Sequence, residues 1–287
     1  MGGSMLLGVV GAGQMGSGIA EVAARADVDV TVVDVQTAAV EAGRRNVERS
    51  LTAAVHRGRI DDEAAARAQG RIRWSTAMDA LTHCTVVIEA VAEIESIKVE
   101  VFRELDGVVK DQEALLASNT SSIPIATLAA ATNRPGHVVG THFFNPVPAM
   151  GLVELVPSLL TLDRVQEAAE HFLGEVLGKT VVRSHDRSGF VVNALLVPYL
   201  LGAIRMYESG FASAADIDTG MRLGCGHPMG PLALCDLIGL DTIAAVAESL
   251  YDEFREAHYA PPPILRRMVA SGRLGRKTGH GFHRHDA

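Results

Sequence analysis

Two groups of residues in this chain have the types and spacing to do chemistry. The first is Gly11-Ala12-Gly13-Gln14-Met15-Gly16, which closes the apolar run Met5 to Val10 and opens a stretch where Ile19, Val22 and Ala23 recur at helical spacing. In that context Gly11 permits a tight turn, Gly13 lets the backbone approach a pyrophosphate, and Gly16 lets helix and strand pack closely. Gln14 and Met15 begin the helix whose N-terminus faces the phosphates. Asp34 follows Gly13 by 21 residues, near the end of the alternating segment Asp29 to Val35. Its carboxylate can accept hydrogen bonds from a ribose diol and repels a 2′-phosphate. Neither Val35 nor Gln36 offers a guanidinium to hold one, so the pattern predicts NAD rather than NADP.

The second group is His142 with Glu154. Val138 to Phe144 and Leu152 to Val156 flank a loop centred on Pro148, and both residues lie six positions from that proline. Antiparallel pairing would set them nearly opposite. A carboxylate beside an imidazole fixes its tautomer and stabilises its protonated form, as a base accepting an alcohol proton requires. On spacing alone, a buried histidine with a structural acceptor reads about equally well.

Both groups need a scaffold that brings them to one edge. Strand-like runs at Met5–Val10, Asp29–Val35, Arg71–Trp74, Thr85–Val91, Ala114–Ala117 and His137–Phe144 alternate with helical stretches at Thr37–Arg57, Asp62–Ala68, Ile94–Val109 and Ile125–Ala131. Leu152–Val156, a helix over Asp163–Leu177 and Thr180–Arg183 follow. This alternation predicts an α/β fold, a Rossmann-type doubly wound and mostly parallel sheet. Gly11–Gly16, Asp34, Glu89–Glu93, Ser118–Ser122 and His142–Asn145 all fall at the carboxyl ends of predicted strands, the ligand edge of such a sheet. From Ser188 to about Ala270 only helices are expected, broken at Gly210, at His227-Pro228-Met229-Gly230-Pro231 and at Pro261-Pro262-Pro263. The expected organisation is a dinucleotide-binding domain over 1–186 with a helical arm at about 37–69, then an all-α domain over 187–287.

Composition narrows the classes. The 287 residues suit about two domains, and 48% hydrophobic with 21% charged residues is ordinary globular composition. The net charge of −8 argues against a nucleic-acid surface. Cys84, Cys225 and Cys235 are scattered and form no C-x-x-C pair, so neither a disulfide framework nor a metal site is expected and a reducing compartment is. Met1 to Ser4 lack the basic residues of a secretory leader. The apolar stretch Phe190 to Met206 is interrupted by Asn193, Pro198 and Arg205, short of the roughly 20 clean residues of a membrane span. A cytoplasmic protein is expected.

Longer motifs add a resemblance. Ser118-Asn119-Thr120-Ser121-Ser122, His142-Phe143-Phe144-Asn145-Pro146-Val147-Pro148, Leu152-Val153-Glu154 and Gly189-Phe190-Val191-Val192-Asn193 appear in this order. His227-Pro228-Met229-Gly230-Pro231, Asp236-Leu237-Ile238-Gly239-Leu240-Asp241 and Gly275-Arg276-Lys277-Thr278-Gly279 continue it. Across essentially its whole length the chain resembles the 3-hydroxyacyl-CoA dehydrogenase family, particularly its free-standing 3-hydroxybutyryl-CoA members.

The resemblance implies His142 as catalytic base, Glu154 as its charge-stabilising partner, and Ser121 and Asn193 as hydrogen-bond partners of the substrate oxygens. It implies NAD contacts at Asp34, Glu93, Lys98, Ser121, Asn145 and Lys277, and CoA contacts at Ser50, Arg57 and Ser121. It also implies a role in fatty-acid and lipid metabolism, and a homodimer through the C-terminal helical domain. The chain departs from the family pattern at Ser188, Gly226 and His283.

Other features have plainer readings. The segment Glu41 to Ile60 holds five arginines, at 44, 45, 49, 57 and 59, which could face CoA phosphates or only solvent. His280, His283 and His285 read as a mobile tail rather than a metal tract. Tyr199 and Met206 read as core or dimer interface. Two rival functions remain at this stage, a hydroxy-acid or sugar-acid dehydrogenase without CoA and a non-catalytic NAD-binding protein.

Overall fold

The computed structural model describes residues 5–285, so the expectation for Met1 to Ser4 lies outside the described residues. The chain divides into two compact units, with the break between Asp186 and Arg187.

In chain order the first unit runs β1 (Leu6–Val10), α1 (Gln14–Arg25), β2 (Asp29–Val33), α2 (Thr37–His56), α3 (Asp62–Gly70), β3 (Ile72–Ser75), β4 (Val86–Glu89) and α4 (Glu95–Val108). It continues with β5 (Leu115–Ser118), α5 (Ile125–Ala129), β6 (Val138–Phe143), β7 (Leu152–Pro157), α6 (Asp163–His171) and β8 (Thr180–Arg183). The strands form one sheet in the order β3-β2-β1-β4-β5-β6-β7-β8. Neighbours run parallel from β3 to β6, β7 returns antiparallel to β6, and β8 lies parallel to β7. Central strands such as Val86-Val87-Ile88-Glu89 are buried throughout, which is why they read as unbroken apolar runs rather than alternating ones. One core gathers Val9, Ile19, Val32, Ile88, Phe143 and Leu155. The strand order reverses direction between β1 and β4, and this switch point opens a crevice at the carboxyl ends of those strands.

The helix expected over Asp163–Leu177 differs in form. It is α-helical to His171 and continues as a π turn over Phe172–Val176. The wider turn lets the consecutive residues Phe172 and Leu173 both face the core.

The second unit is helical, with α7 (Val192–Glu208), α8 (Ala214–Cys225), α9 (Pro231–Ile238), α10 (Leu240–Phe254) and α11 (Pro263–Ala270). Leu200, Leu201, Ile204, Leu232, Ile243, Leu250 and Leu265 form its core. Full burial of each such side chain contributes about 1.5–3 kcal/mol. Gly226 ends α8 in the left-handed region at φ 70°, which glycine adopts without strain. Tyr199 packs against this core and its hydroxyl meets His227 Nδ1 at 3.1 Å. Cys84 and Cys235 are buried, and burial pushes the Cys84 thiol up to about 12 and the Cys235 thiol upward as well. Among the described residues no helix is long and apolar enough to cross a membrane.

The histidine tail corrects its sequence reading, because it is fastened down. Asp218 and Asp236 are buried carboxylates and must find partners. Asp218 accepts the Leu232 and Ala233 N–H groups at 2.8 and 2.9 Å, and His283 Nε2 lies 2.7 Å from its Oδ2. Asp236 accepts the Phe282 and His283 N–H groups, both at 2.8 Å, and His285 Nε2 lies 2.8 Å away. Two chain-distant acids therefore hold one short segment.

Candidate active site

At the switch point, the three glycines do three different things. Gly11 sits at φ +102°, where a side chain would be strained, and an added Cβ would lie 2.6 Å from the Ala90 carbonyl oxygen. A Cβ on Gly16 would stand 1.9 Å from the Gly11 oxygen, so the first turn of α1 closes on the loop only because that atom is missing. Above Gly13 nothing lies within 4 Å. This open place over the N-terminus of α1 could hold a diphosphate, and the residues present fit the NAD expected from the sequence. Asp34, at the end of β2, accepts the Ala12 N–H at 2.9 Å and the Gln36 N–H at 3.0 Å. Those bonds aim a half-exposed carboxylate along the same edge.

Along this edge, β6 and β7 pair His142 directly with Glu154. His142 Nδ1 lies 2.7 Å from Glu154 Oε2, and the Glu154 side chain is fully buried. A carboxylate can only accept, so Nδ1 carries the hydrogen of this contact. The Phe144 ring stands 4.6 Å from the imidazole, centroid to centroid, and limits its tilt.

A buried network sets the neighbouring loop. Lys98 on α4 is 1% exposed, and its ammonium reaches Glu89 Oε1 at 2.7 Å, Glu93 Oε2 at 3.2 Å and the Val91 carbonyl at 3.4 Å. Glu89 also accepts from the Ser118 hydroxyl at 2.6 Å. Glu93 Oε1 accepts from the Thr120 hydroxyl at 2.5 Å and from the Ser121 N–H at 2.8 Å, with the Ser121 hydroxyl at 3.2 Å. Burial by itself raises the Glu93 carboxyl, but the Lys98 charge and the bonds from Thr120 and Ser121 outweigh it and hold the group below the ordinary carboxylate range. Lys98, expected as a cofactor contact, thus spends its three donors inside the protein and acts from behind the loop that carries Ser121. Asn119 Oδ1 accepts the Phe143 N–H at 2.9 Å and ties that loop to β6. Glu89, Ser118 and Asn119 support this loop; the sequence set them at the ligand edge of the sheet but assigned them no role.

The remaining expected residues sit as follows. Asn145 is exposed just beyond β6. Ser50 is half-buried on α2 near the buried Glu21, whereas Arg57, just past the end of α2, is exposed. In the second unit Asn193 lies in the first turn of α7, and the Lys277 ammonium meets both Asp241 oxygens at 2.6 and 2.7 Å.

An imidazole paired to a buried carboxylate at the same sheet edge as an open glycine loop suits a dehydrogenase acting on an alcohol, and the comparisons place the chain in that class. Residues 6–187 match the family model described as 3-hydroxyacyl-CoA dehydrogenase, NAD binding domain, and 189–285 match its C-terminal domain. The chain belongs to the 3-hydroxyacyl-CoA dehydrogenase family. It is 55% identical, over 96% of its length and 97% of the relative's, to a 3-hydroxybutyryl-CoA dehydrogenase of Mycobacterium tuberculosis. Its fold superposes on the crystal structure of M. tuberculosis FadB2 with a TM-score of 0.96 at 55% identity, covering 98% of each chain. It superposes on (S)-3-hydroxybutyryl-CoA dehydrogenase from Ralstonia eutropha with a TM-score of 0.94 at 44% identity, covering 99% and 100%.

The glycine geometry separates binding from folding. Gly13→Ala places a methyl in the open cradle and is expected to weaken NADH affinity about tenfold or more with an unchanged melting temperature. Gly16→Ala forces the loop away from the helix and is expected to cost about 1–3 kcal/mol of stability. Fluorescence titration of NADH and thermal melts of the two variants check this, and equal effects of both on Tm would contradict it.

Proposed function

We propose that the chain interconverts a short (S)-3-hydroxyacyl-CoA, 3-hydroxybutyryl-CoA foremost, with the 3-oxoacyl-CoA. The observation that carries this reading is the buried His142–Glu154 pair beside the glycine cradle. Gly11 to Gly16 and Asp34 would hold NAD, which would supply the acceptor for the hydride leaving C3. His142 Nε2 takes the proton of the 3-hydroxyl, and the fully buried Glu154 stabilises the imidazolium that results. Ser121 is a hydrogen-bond partner of the substrate oxygens, its hydroxyl lying 3.2 Å from Glu93 Oε1 and free to rotate so as to donate to one of them. Asn193 is the second substrate contact in this proposal. Asp34 holds a ribose of NAD, and Glu93, Asn145 and Lys277 add further contacts.

A CoA carrier, rather than a free hydroxy acid, is supported by the family match along both units and by the arm. Among the described residues Arg44, Arg57 and Arg59 form no ion pair, whereas Arg45 lies 3.9 Å from Glu41. The test is NADH oxidation by the wild-type protein on acetoacetyl-CoA compared with free acetoacetate. Turnover only on the free acid, or on neither, would sink the proposal.

We also propose a homodimer through the second unit, supported by exposed Leu195, Phe211 and Leu223 there. Light scattering is expected to give twice the mass of one chain, and a single-chain mass at micromolar concentration would count against it. A cytoplasmic location is supported by the three free cysteines.

A further inference from the structure

The His142–Glu154 pair sits near the open end of its hairpin. Phe143 and Val153 form the last rung between β6 and β7, His142 and Glu154 the rung before it, and residues 144–151 join the strands. A two-residue turn sets register by its own geometry, whereas a connection of this length does not and must be closed by other contacts. Inside it, the Pro146 carbonyl accepts the Ala149 and Met150 N–H groups at 2.9 and 3.0 Å. Its other tethers come from outside. Lys179, just before β8, donates to the Val147 and Met150 carbonyls at 2.8 and 2.7 Å. The place of Lys179 is itself set by the π turn, because its N–H bonds the Leu173 carbonyl at 3.0 Å after a left-handed Gly178 at φ 66°. Val147 is 2% exposed and rests on α1 at Gly18, where an added Cβ would stand 3.0 Å from the Val147 Cβ. Burial and the Arg25 charge push the Lys179 ammonium below the usual lysine range, with Glu21 opposing. Its bonds to the two carbonyls offset that cost.

We propose that Lys179 is a positioning residue for the proton-transfer step: by tying down the 144–151 connection it holds His142 against Glu154 in the geometry that a base requires. The kinetic half of this proposal rests on the reaction proposed above, and the geometric half does not. A base must be held within about 0.5 Å of its productive place by groups that are themselves fixed. Here the fixed groups are the π turn behind Lys179 and the helix beneath Val147. Both act on the one stretch of chain through which His142 and Glu154 are joined in sequence. Lys179 touches neither side chain of the pair, so it acts on them only through this connection.

The test reads the pair without substrate. A short N–H bond to a buried carboxylate gives a far-downfield proton resonance, and that of His142 Nδ1 is assigned by its loss in His142→Ala. In Lys179→Met, which keeps the length of the side chain and removes its donors, this resonance is expected to broaden or vanish. Turnover of acetoacetyl-CoA per NADH-binding site is expected to fall about 10- to 100-fold, with KM for the acyl substrate unchanged. Lys179→Arg restores donors for both carbonyls and is expected to recover most of the lost rate. Gly18→Ala presses on Val147 from α1 without touching Lys179 and is expected to broaden the same resonance, so it decides the matter alone if Lys179→Met does not bind NADH. A purely structural role would lower the number of NADH-binding sites and leave the resonance of the remaining folded protein sharp. A sharp resonance in either folded variant, or a broadened one with wild-type turnover per site, would overturn the proposal. A wild-type protein that shows the resonance and its dependence on Lys179 but no turnover would remove the proposed reaction and leave the tether.

Discussion

Replacing His142 by alanine is expected to lower turnover of acetoacetyl-CoA by about 10²- to 10⁴-fold, the range typical of a lost general base or acid. The geometry makes the loss specific. His142 Nδ1 is engaged by Glu154 at 2.7 Å, so in the proposed mechanism Nε2 is the nitrogen that exchanges a proton with the substrate oxygen. Alanine removes that nitrogen and also leaves Glu154 as a fully buried carboxylate beside a small void. Some stability is therefore lost together with rate, and the two must be separated. NADH titration does so, since the cradle at Gly11 to Gly16 lies on β1 and α1 rather than on β6. Glutamine at the same position keeps a hydrogen-bonding group near Glu154 and separates packing from proton transfer. Folded His142→Ala that binds NADH and turns over at the wild-type rate would remove this residue from the mechanism.

Lys98→Met is expected to cost about 3–5 kcal/mol of stability, the usual consequence of removing one partner from a buried ion pair. Methionine nearly matches lysine in length, so the cost is electrostatic: Glu89 is fully buried and loses the cation at 2.7 Å. The same change frees Glu93 from its tether and is expected to loosen Ser118–Ser122, raising KM for NADH and for the acyl substrate together. The double variant Lys98→Met with Glu89→Gln removes both charges and should recover part of the stability. Urea unfolding of the single and double variants checks the sign, and a single variant as stable as wild type would show that the pair contributes nothing.

How much of this could be read beforehand depended on distance along the chain. The His142–Glu154 pair was legible because a hairpin centred on Pro148 sets its register, and counting six positions either way is enough. The glycine cradle was legible because loop, helix and acid lie within one βαβ segment. The support under Ser121 was not, since it joins Glu89 to Lys98 nine positions on and to Ser118 twenty-nine positions on. No local pattern distinguishes a buried acid at a strand end from a solvated cap. The tail failed for the same reason. His283 and His285 look idle until α8 and α9 bring Asp218 and Asp236 beneath them. The π turn at Phe172–Val176 was hidden because an apolar period near four suits either helix type.

That fastened segment bears on how the polypeptide is born. All eight strands have been synthesised by residue 183, so the first unit can close while its successor is still being translated. The second unit has its helices by residue 270, yet its two buried aspartates wait for partners at 282 to 285. Ribosome-arrested chains with residues up to 270 outside the tunnel are expected to resist protease in the first unit and to be cut in the second. Resistance of both would show that α7 to α11 close without their last fastening.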